Sequence, residues 1–264
     1  MEADGNSGGA PNAIEVRGLK RRFDHQRVLD GVDLAVPAGT ITTIVGPSGC
    51  GKTVFLKHLN LLLRPDAGSI KIDGVEVTKL GWNKLNWIRE QFGMLFQAGA
   101  LFDSMSVYDN VAFPLVEKTR LSAKEIRARV HETLQAVGLD GMGSKFPSEM
   151  SGGMQKRAAL ARALVRQPKI LMLDEPTTGL DPTRTGSIHE LVRRTQQNFH
   201  LTAVVVSHDV PQVFSISDRI AFMHHGKMQL VGSVDEVMAT SDEDFKRFLA
   251  GKAAGGDEDI DQVG

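Results

Sequence analysis

The stretch Gly46-Pro-Ser-Gly-Cys-Gly-Lys-Thr53 fits the pattern G-x-x-x-x-G-K-[ST] of a phosphate-binding loop. The apolar run Thr40–Val45 before it predicts a strand, and Val54–Leu63 after it carries apolar residues at helical spacing. Glycines allow such a loop to curl, so that its N–H groups and the following helix N-terminus point at phosphate oxygens. We expect Lys52 to reach the β- and γ-phosphates of a nucleotide and the Thr53 hydroxyl to ligate Mg²⁺.

A glycine-rich turn can also match this pattern by accident. The strand and helix predicted on either side supply the context that the phosphate-binding interpretation requires, and they favour it over a chance match. The residues expected to surround the phosphates are Gly46, Pro47, Ser48, Gly49, Cys50, Gly51, Lys52 and Thr53.

A second short apolar run, Ile170–Leu173, ends at Asp174 and Glu175. Such a run is typical of a strand buried on both faces of a parallel sheet, with its carboxylates at the C-terminal edge. We expect Asp174 to hold Mg²⁺ and Glu175 to orient the attacking water, because phosphoryl transfer depends mainly on positioning and charge neutralisation. Asp-Glu-Pro also suits an ordinary strand exit into a turn, and only the upstream phosphate-binding loop favours the catalytic interpretation.

The motif SGGMQ at 151–155 discriminates between classes of nucleotide-binding protein. Ser151 has the character of a helix N-cap, and Gly152 and Gly153 permit close backbone approach. The helix that follows is rich in small residues, so its start predicts a second anion site, remote in sequence from the first loop. A P-loop kinase or GTPase with a single site does not explain this second motif.

Taken in order, with Gln97 after the first motif and His208 after the last, these motifs resemble the ATP-binding-cassette (ABC) family. The resemblance implies an α/β P-loop NTPase fold with a RecA-like parallel-sheet core, a small N-terminal antiparallel β-subdomain and an inserted α-helical subdomain. It implies ATP and Mg²⁺ as ligands. It also implies that two copies pair head to tail around two nucleotides, with Ser151 of one copy gripping the γ-phosphate held by the other.

Further site residues follow from the resemblance, position by position. Phe23 lies where the family carries an aromatic ring that stacks on adenine, although a core residue of the N-terminal strands is an equally good interpretation. Gln97 matches a glutamine that senses Mg²⁺ and the attacking water, and it opens a region that contacts a membrane partner. Asp181 matches a loop that crosses to the opposite subunit, and it also suits a helix N-cap. His208 matches a histidine that contacts the γ-phosphate, although a histidine ending the strand Leu201–Val206 is often only a polar terminus.

The chain departs from the general family pattern in two places. Met154 stands where most cassettes carry glutamine, and Val54 stands where a second hydroxyl is commoner. Neither departure removes an expected phosphate ligand, because the serine, the glycine amides, Lys52 and Thr53 all remain. We therefore expect the chemistry to be preserved.

Three segments narrow the resemblance to the ATPase subunits of Mla/Mce-type lipid transporters. They are the stretch Met94–Leu115, SGGM at 151–154 and VSHDVP at 206–211. This likeness covers about Ile14 to Ala250. It implies a subunit on the cytoplasmic face of the bacterial inner membrane that powers phospholipid movement. Its partners would be a second copy of itself, an integral membrane permease and an Mce-domain substrate-binding protein.

Length and composition agree with one α/β domain that carries an insert, since the chain has 264 residues and is 41% hydrophobic. A net charge of −1 provides no bulk attraction to nucleic acid or to an anionic lipid surface. The single cysteine, Cys50, fits a reducing compartment, and its place in the phosphate loop predicts sensitivity to thiol reagents. No apolar run approaches the roughly eighteen residues that span a bilayer, so any membrane role depends on a partner.

The chain is predicted to form one domain over residues 13–251, between a disordered N-terminus (1–12) and a disordered acidic tail (252–264). The helical subdomain is expected at about 95–165, with one helix opened by the capping box Ser122–Glu125 and ended by Gly138. No internal repeat is present in the sequence, which indicates one cassette per chain.

Segments with strand-like alternation at Ile14–Val16, Gly31–Val36 and Ser69–Val77 predict the small antiparallel sheet. Asp73-Gly74 is a good two-residue hairpin turn within it. From residue 166 onward, strands and helices alternate as a parallel sheet requires. Another helix start is predicted at Ser233–Glu236.

A transport ATPase competes with a soluble cassette ATPase that acts on DNA or ribosomes. Soluble types usually carry two cassettes in one chain, or a long heptad insertion between the two nucleotide motifs, and this sequence has neither. The ATPase of a different importer or exporter is the remaining alternative.

Overall fold

A computed structural model describes residues 11–251, apart from the side chains of Trp82, Asn83 and Pro182. The disorder predicted for residues 252–264, and for all but the last two residues of 1–12, therefore lies outside the described residues. Asn12 already belongs to the first strand, so ordered structure begins one residue before the predicted boundary.

Within residues 11–251 the chain forms ten β-strands and eight α-helices. The strands are β1 (Asn12–Phe23), β2 (Gln26–Pro37), β3 (Ile41–Val45), β4 (Ala67–Ile72), β5 (Val75–Glu76), β6 (Phe92–Leu95), β7 (Ile170–Asp174), β8 (Thr202–Val206), β9 (Arg219–His224) and β10 (Lys227–Gly232). The helices are α1 (Lys52–Leu59), α2 (Trp82–Arg89), α3 (Val107–Lys118), α4 (Ala123–Ala136), α5 (Gly152–Leu164), α6 (Pro182–Phe199), α7 (Val234–Met238) and α8 (Glu243–Leu249).

The central sheet has six strands in the order β10-β9-β3-β8-β7-β6. All neighbours are parallel except β9 and β10, which pair antiparallel at one edge. Every residue of β3, β7 and β8 is buried, as expected of parallel strands covered on both faces. Because parallel strands end at the same edge, the residues that follow β3, β7 and β8 are brought together there.

The second sheet has four antiparallel strands in the order β2-β1-β4-β5. β1 and β2 each run for 12 residues, well beyond the predicted Ile14–Val16 and Gly31–Val36. The turn between β4 and β5 is the predicted Asp73-Gly74, with φ of 46° and 76°, the positive values that a two-residue hairpin turn requires. The apolar side of this sheet packs with α1 and α2 against one face of the central sheet.

The opposite face of the central sheet is covered by helices from the insert and from the C-terminal half. Within the insert, α3, α4 and α5 pack on one another. α4 opens with the predicted capping box between Ser122 and Glu125, and Gly138 follows it with a φ of 70°. The capping box predicted at Ser233 and Glu236 opens α7.

The predicted helix over Val54–Leu63 is shorter than its apolar spacing suggested. α1 ends at Leu59, because Leu61 adopts a left-handed φ of 62° and the N–H groups of Leu62 and Leu63 both turn back to the Lys57 carbonyl. Leu62 is consequently 52% exposed, so this leucine does not belong to the apolar face of the helix.

Candidate nucleotide-binding and catalytic site

The predicted phosphate loop joins β3 to α1 at the C-terminal edge of the central sheet. Gly46 lies so close to β9 that a Cβ atom there would come within 2.1 Å of the Met223 carbonyl oxygen. Gly51, the N-cap of α1, has a φ of 108°, which residues other than glycine rarely adopt. These two glycines let the loop turn tightly and aim the N-terminus of α1 into it.

Lys52 is the first residue of α1, its side chain reaches back to the loop, and the residue is only 7% exposed. Its Nζ donates hydrogen bonds to the Gly46 carbonyl at 2.7 Å and to the Pro47 carbonyl at 2.8 Å. A buried ammonium group needs such acceptors, because an unpaired charge is costly in a low-dielectric environment. The loop therefore wraps around a cation, as a triphosphate site requires.

Thr53 and Asp174 face each other across the edge of the sheet. The Thr53 hydroxyl donates to Asp174 Oδ1 at 3.2 Å. Burial raises the pKa of Asp174; the Thr53 hydrogen bond opposes that increase, and the negative charge of Glu175 adds to it. Mg²⁺ prefers oxygen ligands at about 2.1 Å in an octahedron, which separates neighbouring ligands by roughly 3 Å. The hydroxyl and the carboxylate therefore fit as two adjacent ligands of Mg²⁺.

Glu175 and His208 lie in contact at the ends of β7 and β8. His208 Nδ1 is 2.6 Å from Glu175 Oε2, and the Thr178 hydroxyl donates to the same oxygen at 3.4 Å. Glu175 is 8% exposed, whereas 58% of the His208 side chain is exposed. With a left-handed φ of 50°, Glu175 leaves the strand direction directly after β7. The structure thus unites the two residues that the sequence places 33 positions apart.

Ser151, Gly152 and Gly153 form the start of α5, as predicted. The Ser151 hydroxyl accepts a hydrogen bond from the Met154 N–H at 3.4 Å, so Ser151 is the N-cap. Ser151 and Gly152 are exposed and Gly153 is buried. Ser151 and Gly152 thus place this helix N-terminus at the surface, which suits an anion presented from outside.

The phosphate loop and the start of α5 face separate clefts, which have no described lining residue in common. Residues of the first cleft include Pro47, Ser48, Gly49, Cys50 and His208. Residues of the second include Gln97, Gly152, Lys156, Thr178 and Gly179. Among the described residues, no hydrogen bond joins the Gln97 side chain to Thr53 or Asp174, so one copy of the chain does not assemble all the predicted site residues around one point.

Phe23 ends β1 with 38% of its surface exposed. It is therefore not a buried core residue, which was one of its two interpretations. The Arg21 guanidinium lies 4.5 Å from the centre of the ring and covers one face of it. Stacking on a nucleotide base would use the other face.

Asp181 is the N-cap of α6, as expected from Pro182 after it. Its Oδ1 accepts from the Arg184 N–H at 3.0 Å, and its Oδ2 lies 3.1 Å from Arg184 Nε. Because Asp181 is exposed, it also remains accessible to a second molecule. The capping role and the predicted crossing role are compatible.

Cys50 is a partly buried residue of the phosphate loop. Burial raises the pKa of its thiol, although the nearby Lys52 charge opposes the increase. Because the thiolate is the reactive form, this increase opposes the predicted sensitivity to thiol reagents, which stays a prediction.

Sequence reasoning missed Lys156 and Arg162, which bind the backbone of the loop after Gln97. Lys156 Nζ donates to the Gln97 carbonyl, and Arg162 donates to the Ala100 carbonyl at 2.7 Å. The available signal was the presence of three cations, Lys156, Arg157 and Arg162, in a helix of small, mostly buried residues, where a charge requires a partner.

Comparison with known proteins decides the family. Residues 29–178, more than half of the chain, match the family model described as ABC transporter. The chain belongs to the ABC transporter family. This cassette is also 46% identical, over 97% of its length, to the probable ribonucleotide transport ATP-binding protein mkl of Mycobacterium leprae, of which it covers 74%. Over 92% of its length it is 41% identical to the intermembrane phospholipid transport system ATP-binding protein MlaF of Escherichia coli K12, of which it covers 91%.

Solved structures agree with this assignment. The cassette superimposes with a TM-score of 0.75 and 29% identity on a dimeric post-hydrolysis state of the ATP-binding cassette MJ0796 bound to ADP and Pi, covering 84% of this chain and 98% of that one. With CbiO1 of Clostridium perfringens the TM-score is 0.81 at 32% identity, covering 86% and 91%. The predicted fold class is confirmed.

The cassette is therefore an ATP-binding subunit of a transporter and an ATPase, as predicted. The cassette structures that it resembles include dimers. None of the helices within the described part of the chain is long and apolar enough to cross a membrane.

Proposed function

We propose that two copies of the cassette bind two ATP molecules between them, hydrolyse them with Mg²⁺ and thereby drive phospholipid transport between membranes. The observation that carries this proposal is the convergence of three features at one sheet edge: the loop around Lys52, the Thr53–Asp174 pair and the Glu175–His208 pair. Together they supply an anion site, a metal site and a carboxylate positioned for water.

Phosphate binding falls to the loop of residues 46–53. Lys52 would exchange its hydrogen bonds to Gly46 and Pro47 for phosphate oxygens, while the N–H groups at the start of α1 point at the same oxygens. Thr53 and Asp174 would hold Mg²⁺, with Gln97 as a further ligand once the loop that contains it approaches. When bound, the metal neutralises negative charge on the phosphate oxygens.

Glu175 is the residue that we assign to the attacking water. It is mostly buried and hydrogen-bonded at one oxygen by His208 and Thr178, which fixes its orientation. An oriented carboxylate holds a water molecule in line for attack and accepts its proton. His208 is well exposed next to it and is available to donate a hydrogen bond to a phosphate oxygen.

The second copy supplies Ser151, Gly152 and Gly153. In one chain Gly152 lines a different cleft from the phosphate loop, which supports a role for this helix start at a nucleotide presented by another molecule. A head-to-tail arrangement with a two-fold axis makes both sites equivalent. The exposed Asp181 lies at the N-terminus of α6, where it would contact the partner copy.

Phospholipid as cargo is supported by the MlaF proteins of Escherichia coli and Haemophilus influenzae, which are 41% and 43% identical and are nearly covered by this chain. We infer the same setting: the cytoplasmic face of a bacterial inner membrane, an integral permease and an Mce-domain substrate-binding protein. The mycobacterial relatives are named for ribonucleotide transport, which makes ribonucleotides the second candidate cargo.

Copurification followed by reconstitution tests the proposal. The tagged cassette is isolated from its own membranes in detergent, its companions are identified, and the complex is placed in liposomes. We expect an integral membrane protein and an Mce-domain protein to copurify, and ATP-dependent transfer of labelled phospholipid that is absent from a complex carrying Glu175→Gln. Recovery with DNA or ribosomes and no membrane protein, or ATP-dependent ribonucleotide uptake without lipid transfer, would contradict the proposed transport.

A further inference from the structure

Two cations of α5 bind the backbone of the loop that begins at Gln97. Lys156 Nζ donates to the Gln97 carbonyl oxygen. Arg162 donates to the Gly99 carbonyl at 2.9 Å and to the Ala100 carbonyl at 2.7 Å. The loop therefore has two anchors on one helix, and the first anchor is at the residue that we assign to the metal and the water.

The conformation of the loop makes these contacts possible. Gly99 and Ala100 both have a left-handed φ, of 72° and 52°. The carbonyl groups of these two residues lie on the same side of the loop, since one guanidinium, that of Arg162, donates to both. An Ala residue at positive φ is unfavourable on its own, and the bidentate contact with Arg162 offsets part of that strain.

Lys156 also lies near the residues assigned to the attacking water. It is 8% exposed and lies close enough to Glu175 for the carboxylate to act on its charge; burial lowers its pKa and the Glu175 charge raises it. It also lines the cleft that contains Gln97, Gly152 and Thr178. Thr178 in turn donates to Glu175.

We propose that Lys156 is a positioning residue for ATP hydrolysis: it ties the peptide of Gln97 to α5, so that the glutamine and the start of α5 move together as one body. When Ser151–Gly153 engage a nucleotide on the partner copy, the same helix brings Gln97 of its own chain into its working position. This inference rests on the proposed role of Gln97, and Lys156 acts through that residue without touching the nucleotide.

The matched control is Arg157 on the same helix. Its Nη1 donates to the Val137 carbonyl at 2.9 Å, at the end of α4. Arg157→Met removes a cation and a backbone contact from α5, but it leaves the Gln97 loop untouched. A general loosening of the helical insert would affect both variants, whereas loss of Gln97 positioning would affect only the Lys156 variants.

The experiment measures kcat, KM for ATP, Mg²⁺ dependence and ATP affinity in the assembled complex for Lys156→Met, Lys156→Gln, Lys156→Arg and Arg157→Met. We expect Lys156→Met to lower kcat by about tenfold or more and to raise the Mg²⁺ concentration required, with ATP affinity changed by less than about twofold. Lys156→Arg keeps a donor and a charge and should recover most of kcat. Arg157→Met should remain close to wild type.

A double-mutant cycle shows whether Lys156 acts through Gln97. Gln97→Ala keeps the carbonyl that accepts from Lys156 but removes the side chain to be positioned. If Lys156 acts through that side chain, Lys156→Met should reduce kcat by less than about twofold further in the Gln97→Ala background. Full additivity of the two losses would overturn the inference.

Other outcomes separate this inference from the proposed function. If Gln97→Ala lowers kcat but Lys156→Met behaves like Arg157→Met, only the role of Lys156 is wrong. If Gln97→Ala itself has wild-type kcat, the assignment of Gln97 is wrong and the inference falls with it. Should Lys156→Met fail to fold, Lys156→Gln and Lys156→Arg decide: we expect a higher kcat for Lys156→Arg, whose longer side chain keeps a charged donor for the Gln97 carbonyl, and equal kcat for the two at equal thermal stability would overturn the inference.

Discussion

His208 Nδ1 lies 2.6 Å from Glu175 Oε2, which joins the ends of β8 and β7 at the edge where the phosphate loop opens. The contact leaves the second oxygen of Glu175 for another partner. A carboxylate with one oxygen restrained has a defined direction for the other, which is what a residue that orients water requires.

Glu175→Gln should leave ATP binding intact and reduce turnover by about a hundredfold or more. The amide keeps the size of the side chain and does not alter the loop or the Thr53–Asp174 pair, but it cannot accept a proton. Phosphate release and equilibrium ATP binding are the two measurements, with Glu190→Gln on the exposed side of α6 as the control. Turnover within about threefold of wild type would refute the role given to Glu175.

Lys52→Ala should act on nucleotide binding itself. The variant loses the buried ammonium group and leaves the Gly46 and Pro47 carbonyls without their donor. We expect ATP affinity to fall by at least about tenfold, because hydrogen bonds to charged groups contribute about 1.5–3 kcal/mol. Titration with a fluorescent ATP analogue measures this effect, and Lys84→Ala, at an exposed lysine of α2, is the comparison. An affinity equal to that of the Lys84 variant would count against the assignment.

Asp174→Asn should make the nucleotide-free cassette more stable while abolishing hydrolysis. Burial raises the pKa of Asp174, so the folded state binds its proton more tightly than the unfolded state does. The stability of the wild type therefore falls as the pH rises from the unfolded pKa, about 3.8, through the raised folded pKa, and it stays lower at neutral pH. Asparagine carries no charge, so the variant does not bear the free-energy cost of burying an ionised carboxylate.

Thermal unfolding of both proteins without nucleotide, from pH 3 to pH 8, measures this difference. The variant is expected to unfold at a higher temperature at neutral pH, and the gap should close toward pH 3, where Asp174 of the wild type is protonated. A gap that is absent, or that widens with acid, would show that the carboxylate does not carry this penalty.

Mixing two inactive chains tests the shared site. Ser151→Arg damages the start of α5 and Lys52→Ala damages the phosphate loop, so a mixed dimer retains one site with both parts intact. We expect the mixture to recover about a quarter of wild-type turnover, since half of randomly formed dimers are mixed and each has one working site. Complete inactivity after confirmed exchange of subunits would argue against a site shared between two chains, or would mean that hydrolysis requires both sites to be intact.

The strands and helix starts that position the site residues were largely predictable, because each has a local sequence pattern. β3, β7 and β8 are short apolar runs, and their observed ends fall within a residue of the predicted ones. The capping boxes at Ser122 and Ser233 satisfy helix N-termini by contacts between residues three positions apart, which a sequence displays directly.

What escaped prediction depends on contacts between distant residues. β1 and β2 extend well past their alternating segments, because pairing along a whole hairpin stabilises polar strand ends that have no pattern of their own. The early end of α1 is set by the left-handed residue Leu61, which apolar spacing hides. The anchoring of Gln97 by Lys156 joins residues 59 positions apart, and no spacing rule connects them.

The hydrogen bonds between Lys52 and its own loop bear on how quickly nucleotide can bind. A solvent-exposed lysine must lose its hydration and its side-chain conformational freedom when it binds a ligand. Lys52 is already buried and hydrogen-bonded in the folded protein, so it has lost its hydration and its conformational freedom before ligand binds. Arrival of a triphosphate is then an exchange of one set of acceptors for another at Lys52. The association rate is thus expected to reflect diffusion into the open cleft, and ATP and ADP should differ chiefly in how fast they leave.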